Sequence, residues 1–146
     1  MHFRNRLNIL MISSSSNLGG GTKHMFMLGE ALNNNYGIFY AIPKNYSFKR
    51  YLNSQNNIEI SEKKINLFDI FRLIKFVKSK SIDIIHAHGK GAGVIARILI
   101  LFKKIPLIYT FHGIHLKCHG FLKKITYVLY EFLLGGLDSC KVLVSK

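Results

Sequence analysis

The stretch "LGGGTKHMFMLGEAL", Leu18–Leu32, decides the fold of this chain. A short apolar run, Leu7–Ser13, precedes it and is typical of a buried strand, and the apolar residues from Met25 onward recur at helical spacing. Three glycines therefore stand where a strand ends and a helix begins. Glycine lets another group approach the main chain closely, and the first amides of a helix attract anions. The stretch predicts an anion-binding loop, with a flexible turn that holds no ligand as the alternative.

The rest of the chain repeats this alternation of apolar runs and helical patterns. Strands are predicted at 36–43, 57–60, 82–88, 105–113 and 141–145, and helices at 48–54, 67–78, 91–104 and 120–136. In the helix at 67–78, Leu67, Ile70, Phe71, Ile74 and Val77 form the predicted apolar stripe, and Asp69 lies mostly away from it. Strands that are almost wholly apolar indicate a parallel sheet covered on both faces. The predicted fold class is α/β, a Rossmann-like doubly wound domain that ends on a buried type of strand.

Ligands of such sheets bind at the carboxyl ends of the strands. The residues predicted at that edge are Ser13–Ser16, Gly19–Gly21, His86, His88, Gly89, Gly91, Thr110, His112, Gly113, His115, Ser145 and Lys146. The glycines match neither a dinucleotide fingerprint nor a P-loop. The histidines, even with Cys118 and His119, match no familiar zinc spacing, so we predict no metal site.

The formal net charge of +14 indicates either an anionic partner or a solvated lysine-rich surface. A nucleic acid is disfavoured as that partner, because no aromatic and basic RNA-binding signature and no zinc-finger spacing is present. The two cysteines, Cys118 and Cys140, are interpreted as reduced thiols, which predicts a cytoplasmic protein. Arg97 and Glu131 interrupt the longest apolar runs, which are too short to cross a membrane.

Four segments together resemble the N-terminal domain of glycosyltransferase family 4, the retaining GT-B enzymes. They are "GGGTKHMFMLGEAL", "IDIIHAHGKGAGVIARI", "IPLIYTFHGI" and "LDSCKVLVSK", in the family's order, and the resemblance covers essentially the whole chain. The family pattern after the glycine pair is often Glu-Arg-His. Thr22 and Lys23 depart from it, so the role of the Glu-Arg pair does not transfer.

The resemblance implies a role for individual residues. It implies that the diphosphate of a nucleotide-sugar donor lies on Gly19, Gly20 and Gly21. Lys23, although it departs from the family pattern, is expected to keep a positive charge near these phosphates. It implies that His112 is the catalytic residue, near the transferred sugar. The implied acceptor-side residues are His86, His88, Thr110 and Gly113. The donor is a substrate, so no cofactor is expected.

The resemblance also predicts the domain organisation and the function. Residues 1–146 correspond to the acceptor-side half of a two-domain enzyme, the donor-binding C-terminal domain is absent, and the isolated chain is expected to be inactive. The predicted function is sugar transfer from a nucleotide-sugar to a glycan or lipid-linked acceptor in cell-envelope polysaccharide synthesis. The alternatives are a non-catalytic binding subunit of a split glycosyltransferase and an inactive truncated remnant. Peripheral contact with anionic lipid at the inner membrane face is predicted for Lys103, Lys104, Lys117, Lys123 and Lys124, at about 1 kcal/mol each.

Overall fold

A computed structural model describes residues 6–17, 19–44, 56–62, 64–111 and 121–144, with the backbone alone described at 121–124 and 127. The strands are β1 Asn8–Ser13, β2 Gly37–Pro43, β3 Asn57–Ile60, β4 Ile84–His88, β5 Leu107–Phe111 and β6 Cys140–Leu143. The helices are α1 Gly20–Leu32, α2 Leu67–Ser79, α3 Lys90–Phe102 and α4 Phe121–Leu134, which a 3-10 turn, Gly135–Leu137, follows. The helix predicted at 48–54 lies outside the described residues. No helix in the described ranges is long and apolar enough to cross a membrane.

The strands form one parallel sheet in the order β3-β2-β1-β4-β5-β6. Successive side chains of a strand point to opposite faces of the sheet, so the residues of β1 contribute alternately to two apolar clusters, one on each face. Leu10 and Ile12 join the apolar cluster under α2 and α3, whereas Ile9 and Met11 join the cluster under α1. The predicted Rossmann-like doubly wound fold, with helices on both faces of the sheet, is confirmed.

The buried face of α2 differs from the predicted stripe. Phe71 is exposed, whereas Asp69 is buried. The reason is local: Asp69 lies in the first turn of α2 beside the end of β3, where its Oδ2 accepts a hydrogen bond from the backbone N–H of Ser61 at 2.7 Å. Arg72 Nη1 lies 3.4 Å from the other carboxylate oxygen. A carboxylate that receives two donors is tolerated inside. The predicted stripe is therefore right at Ile70, Ile74 and Val77, which pack on the core, and wrong at Leu67 and Phe71, which are exposed.

The last strand also differs from its prediction as a buried strand. All of β6, Cys140–Leu143, is exposed, and Leu143 retains 77% of its accessible surface. The strand pairs with β5 on one side and is last in the order of the sheet. An apolar run predicts a strand but does not say whether that strand lies at the centre or at the edge.

The two charges that interrupt the long apolar runs meet each other. Arg97 of α3 is 2% exposed and forms bidentate hydrogen bonds with Glu131 of α4, at 3.2 and 2.8 Å, and with Asp138, at 3.0 and 2.7 Å. Its guanidinium lies 5.0 Å from the ring centroids of both Tyr109 and Tyr130. Burial alone would lower the pKa of Arg97, but the hydrogen bonds to the carboxylates raise it. These five residues, the Arg97 cluster, join α3, α4 and β5.

The raised pKa of Tyr40 predicts how the stability of the folded state changes at high pH. Burial, with a smaller contribution from Glu30, raises the pKa of Tyr40 to about 12. The unfolded chain therefore loses this proton near pH 10 and the folded protein only near pH 12, so the folded state loses stability between those values. Two pKa units correspond to about 2.7 kcal/mol. We expect Tyr40→Phe to flatten the fall in the urea-derived free energy of unfolding between pH 10 and 12. An unchanged slope would contradict this assignment.

Candidate functional site

The strand order places a crevice between the carboxyl ends of β1 and β4. From β1 the chain runs through α1 to β2, and from β4 it runs through α3 to β5 on the other side of the sheet. The two loops therefore diverge from adjacent strands, which is the point where doubly wound sheets bind their ligands. The crevice is bordered by the β1–α1 loop, residues 14–19, and by the β4–α3 loop, which is residue 89 together with the first turn of α3.

Hydrogen bonds within the chain hold the β1–α1 loop. The hydroxyl of Thr22, which is buried, donates to the carbonyl of Asn17 at 3.0 Å. The carbonyl of Gly19 accepts the amides of Thr22 and Lys23, each at 3.1 Å, and closes the first turn of α1. Gly19 caps the helix with an extended backbone, φ −70° and ψ 166°, and offers no capping side chain. The loop is thus shaped before any ligand binds.

The packing of the described residues does not require glycine at positions 19 and 20. Both glycines are exposed, and a Cβ added at either position would meet no described atom within 4 Å. Gly29 in the same helix shows the contrast, because a Cβ there would collide with the hydroxyl of Tyr40. Glycine at 19 and 20 therefore leaves open space directly over the N-terminus of α1. Gly21 is half-buried, and Lys23 is exposed in the first turn of α1.

The β4–α3 loop approaches the β1–α1 loop closely. Gly89 has φ +84° and ψ 170°, a conformation essentially restricted to glycine. Its N–H donates to the carbonyl of Thr110 at 3.1 Å, which ties the loop to the end of β5. A Cβ on Gly91 would collide with the side chain of Ser14. At Gly89 the backbone itself requires glycine, and a side chain at position 91 would have to displace that of Ser14.

Three imidazoles and a threonine lie in a row across this edge. The ring centroids of His24 and His88 are 5.9 Å apart, and those of His88 and His86 are 4.2 Å apart. His86 Nε2 and Thr110 Oγ1 are 2.7 Å apart and form a hydrogen bond whose direction depends on the histidine tautomer. His86, His88 and Thr110 are buried. The row, from α1 to β5, supplies donors and acceptors beside the glycine loop.

The structure brings together most of the residues predicted for the site. The carboxyl edge near the crevice holds Gly19, Gly20, Gly21, Lys23, His88 and Thr110. His86 lies in the middle of β4, buried, and contacts His88 and Thr110 there. His112 and Gly113 lie outside the described residues, so their predicted roles remain predictions. Among the described ranges, no group of three or more ligating side chains could hold a metal ion.

Sequence reasoning missed two features of the site. His24 was not predicted as a site residue, although it occupies the histidine position of the Glu-Arg-His pattern. The contact between Gly91 and Ser14 joins loops that are far apart in the chain, so only the strand order places them together.

Comparison with known proteins identifies the family. The model of Glycosyltransferase Family 4 matches residues 18–144, and the chain belongs to this family. The predicted family is confirmed. No curated protein sequence matches the chain.

Solved structures share the fold at low sequence identity. HepE of Anabaena in complex with UDP and glucose is 16% identical, with a TM-score of 0.65 over 88% of this chain and 36% of that one. MurG of Acinetobacter baumannii is 14% identical, with a TM-score of 0.62 over 94% of this chain and 45% of that one. A putative UDP-N-acetylglucosamine 2-epimerase from Listeria monocytogenes is 10% identical, with a TM-score of 0.62, over 93% and 38%. The chain therefore spans less than half of each of these proteins.

Proposed function

We propose that this chain forms the acceptor-side N-terminal domain of a glycosyltransferase that transfers sugar from a nucleotide-sugar to a glycan or lipid-linked acceptor, in cell-envelope polysaccharide synthesis. The main supporting observation is the open space over Gly19 and Gly20 at the N-terminus of α1. Packing of the described residues does not explain glycine at these positions, whereas a ligand that lies against the main chain would explain it. The family and the UDP bound by HepE support a nucleoside diphosphate as that ligand.

The electrostatics of the crevice favour a diphosphate. The helix α1 has 13 residues, long enough for a full dipole, and its first amides have no side-chain cap. Its N-terminus therefore attracts negative charge. The exposed Lys23 adds a positive charge one turn into the helix, in a chain whose formal net charge is +14. In this proposal, Gly19–Gly21 contact the diphosphate through the main chain and Lys23 through its ammonium group.

The row of imidazoles suits the acceptor side of the cleft. Thr110 orients the ring of His86, and His88 lies between His86 and His24. We propose that His86, His88, Thr110 and Gly113 form the acceptor side of the cleft and that His112, directly after β5, reaches the transferred sugar. The remaining contacts to the nucleotide then belong to a second domain, since the proteins of similar fold are more than twice as long.

Binding of UDP, compared with uridine, tests the proposal. By calorimetry we expect the chain to bind UDP at least about ten-fold more tightly than uridine, since the diphosphate contributes about 1.4 kcal/mol or more. Lys23→Ala should weaken UDP binding about two- to five-fold, the effect of one exposed charge near a helix N-terminus. The control is Lys78→Ala, which removes an exposed lysine from the last turn of α2. Equal affinities for UDP and uridine would contradict a diphosphate site.

We also propose peripheral contact with anionic lipid. Leu101 and Phe102 at the end of α3 are 71% and 63% exposed, and Lys103 and Lys104 follow them directly. Apolar side chains next to lysines are typical of segments that bind a membrane surface. Lys117 and the side chains of Lys123 and Lys124 lie outside the described residues.

Vesicle sedimentation tests this contact. Binding to vesicles with phosphatidylserine should fall as salt is added, because the attraction of lysines is screened. The variant Leu101→Ser/Phe102→Ser should bind several-fold less, and Phe68→Ser on α2, also an exposed phenylalanine, is the matched control. Binding that does not depend on salt, or an equal loss in the control, would contradict the proposal.

A further inference from the structure

A pocket of about 390 Å³ opens at the carboxyl ends of β2 and β3. It is lined by Pro43, Lys44, Glu59, Ile60, Ser61, Glu62, Asp69 and Arg72. Its volume falls in the range of roughly 300–1,000 Å³ that small-molecule sites occupy. All strands are parallel, so the pocket lies at the same edge of the sheet as the glycine loop. Among the described residues, none that is assigned above to the donor or the acceptor lines it.

The pocket is rich in acidic residues for so basic a protein. The chain has 7 acidic residues against 21 lysines and arginines, and three of the acidic residues, Glu59, Glu62 and Asp69, line this pocket. Lys44 and Arg72 stand beside them. Carboxylates only accept hydrogen bonds, and lysine and arginine only donate them. A sugar hydroxyl both donates and accepts, so a polyhydroxylated ligand satisfies both sets.

The same charges select against other ligands. Three carboxylates oppose the approach of a phosphate or any other anion, and two cations oppose a positively charged group. The lining is also held in place: Asp69 accepts the amide of Ser61 at 2.7 Å, and Arg72 donates to the carbonyl of Glu59 at 3.1 Å. A fixed set that contains both donors and acceptors suits an uncharged sugar.

One side chain connects the pocket to the glycine loop. Glu62 Oε1 accepts hydrogen bonds from the hydroxyl of Ser16 at 2.6 Å and from the amide of Ser16 at 3.3 Å. Ser16 belongs to the loop that leads to Gly19 and Gly20. A ligand in the pocket therefore lies next to the loop that we propose for the donor phosphates.

We infer that this pocket binds an uncharged sugar unit of the acceptor. The inference rests on the proposed function and adds the chemical class of the acceptor group and the residues that hold it. Glu59, Glu62 and Asp69 accept hydrogen bonds from the sugar hydroxyls, and Lys44 and Arg72 donate to them. In this proposal the donor phosphates lie on Gly19–Gly21 and not in the pocket.

Amide shift mapping by NMR tests the inference on the whole chain. The probes are methyl glycosides of glucose, galactose, mannose and N-acetylglucosamine, with inorganic phosphate and UDP titrated separately. We expect at least one glycoside to shift the amides of Ser61, Glu62 and Arg72 saturably and phosphate to leave them unchanged. Glu59→Ala should weaken that binding about ten-fold, the loss of a hydrogen bond to a charged group. Glu30→Ala, which removes an exposed glutamate of α1, is the matched control and should leave it unchanged.

The outcomes separate the two proposals. If no glycoside shifts these amides, or if phosphate shifts them instead, the sugar pocket is wrong. An equal loss in Glu59→Ala and Glu30→Ala would also overturn it. Shifts of the glycine-loop amides by UDP in the same experiment would leave the proposed donor site intact, and their absence would count against the donor site alone.

Discussion

Arg97→Ala is expected to destabilise the protein by about 3–5 kcal/mol, the cost of removing one partner from a buried ion pair. The substitution leaves the carboxylate of Asp138, whose side chain is fully buried, without its bidentate partner. It also removes the cation that lies between the rings of Tyr109 and Tyr130. A loss of this size is a large part of the 5–15 kcal/mol that typically stabilises a domain.

The free energy of unfolding from urea denaturation, measured for two further variants, distinguishes the buried Arg97 cluster from an ordinary surface ion pair. Arg72→Ala removes a guanidinium with 42% of its side chain exposed from its contact with Asp69, and should cost at most about 1 kcal/mol. The triple variant Arg97→Met/Glu131→Gln/Asp138→Asn removes all three charges and should recover most of the loss, because no charge is left buried and unpaired. Equal costs for Arg97→Ala and Arg72→Ala would contradict the role given to the cluster.

Gly20→Asp is expected to abolish UDP binding, with a loss of affinity of about 100-fold or more. The new carboxylate occupies the open space at the first position of α1, where the proposed diphosphate lies. Two like charges held together cost several kcal/mol. The fold should not suffer, because an acidic residue at a helix N-terminus contributes about 0.3–1 kcal/mol of stability. The prediction is thus a protein at least as stable as the original that has lost its ligand.

Gly136→Asp is the matched control for this prediction. A Cβ at Gly136 also meets no described atom within 4 Å, and the residue lies after α4, at the opposite edge of the sheet. The charge and the side chain are the same, so UDP affinity measured by calorimetry should stay within about two-fold of the original. Retained binding in Gly20→Asp would remove the main observation that supports the donor site.

The elements of the fold could be predicted from the sequence because their signals are local. The strand at Leu7–Ser13 and the helix after the glycines follow from patterns within a few residues, and both are present. The carboxyl-edge position of the glycines, His86 and Thr110 then follows from the parallel sheet. These predictions depend on the period of apolar residues, which the sequence shows directly.

The remaining features depend on contacts between distant residues. Arg97 and Glu131 are 34 positions apart in the sequence, where each only interrupts an apolar run. In the fold the two charges neutralise each other. Asp69 is buried because the end of β3 supplies a donor. Of the two edge strands, β3 buries its isoleucines and β6 is exposed, a difference that the apolar pattern of the two strands does not show. The pocket is formed by residues at the ends of β2 and β3 and in the first two turns of α2, which no single motif unites. Tertiary contacts decide all of these.

The most direct test of the central claim is amide shift mapping of the unmodified chain with UDP. We predict saturable shifts confined to the two loops of the crevice, at residues 13–24 and 86–91, with no shift at the amides of the pocket beside β3. That result would place the diphosphate over the glycine loop. The absence of shifts at residues 19–23, or shifts spread over exposed lysines without saturation, would contradict a donor site at the N-terminus of α1.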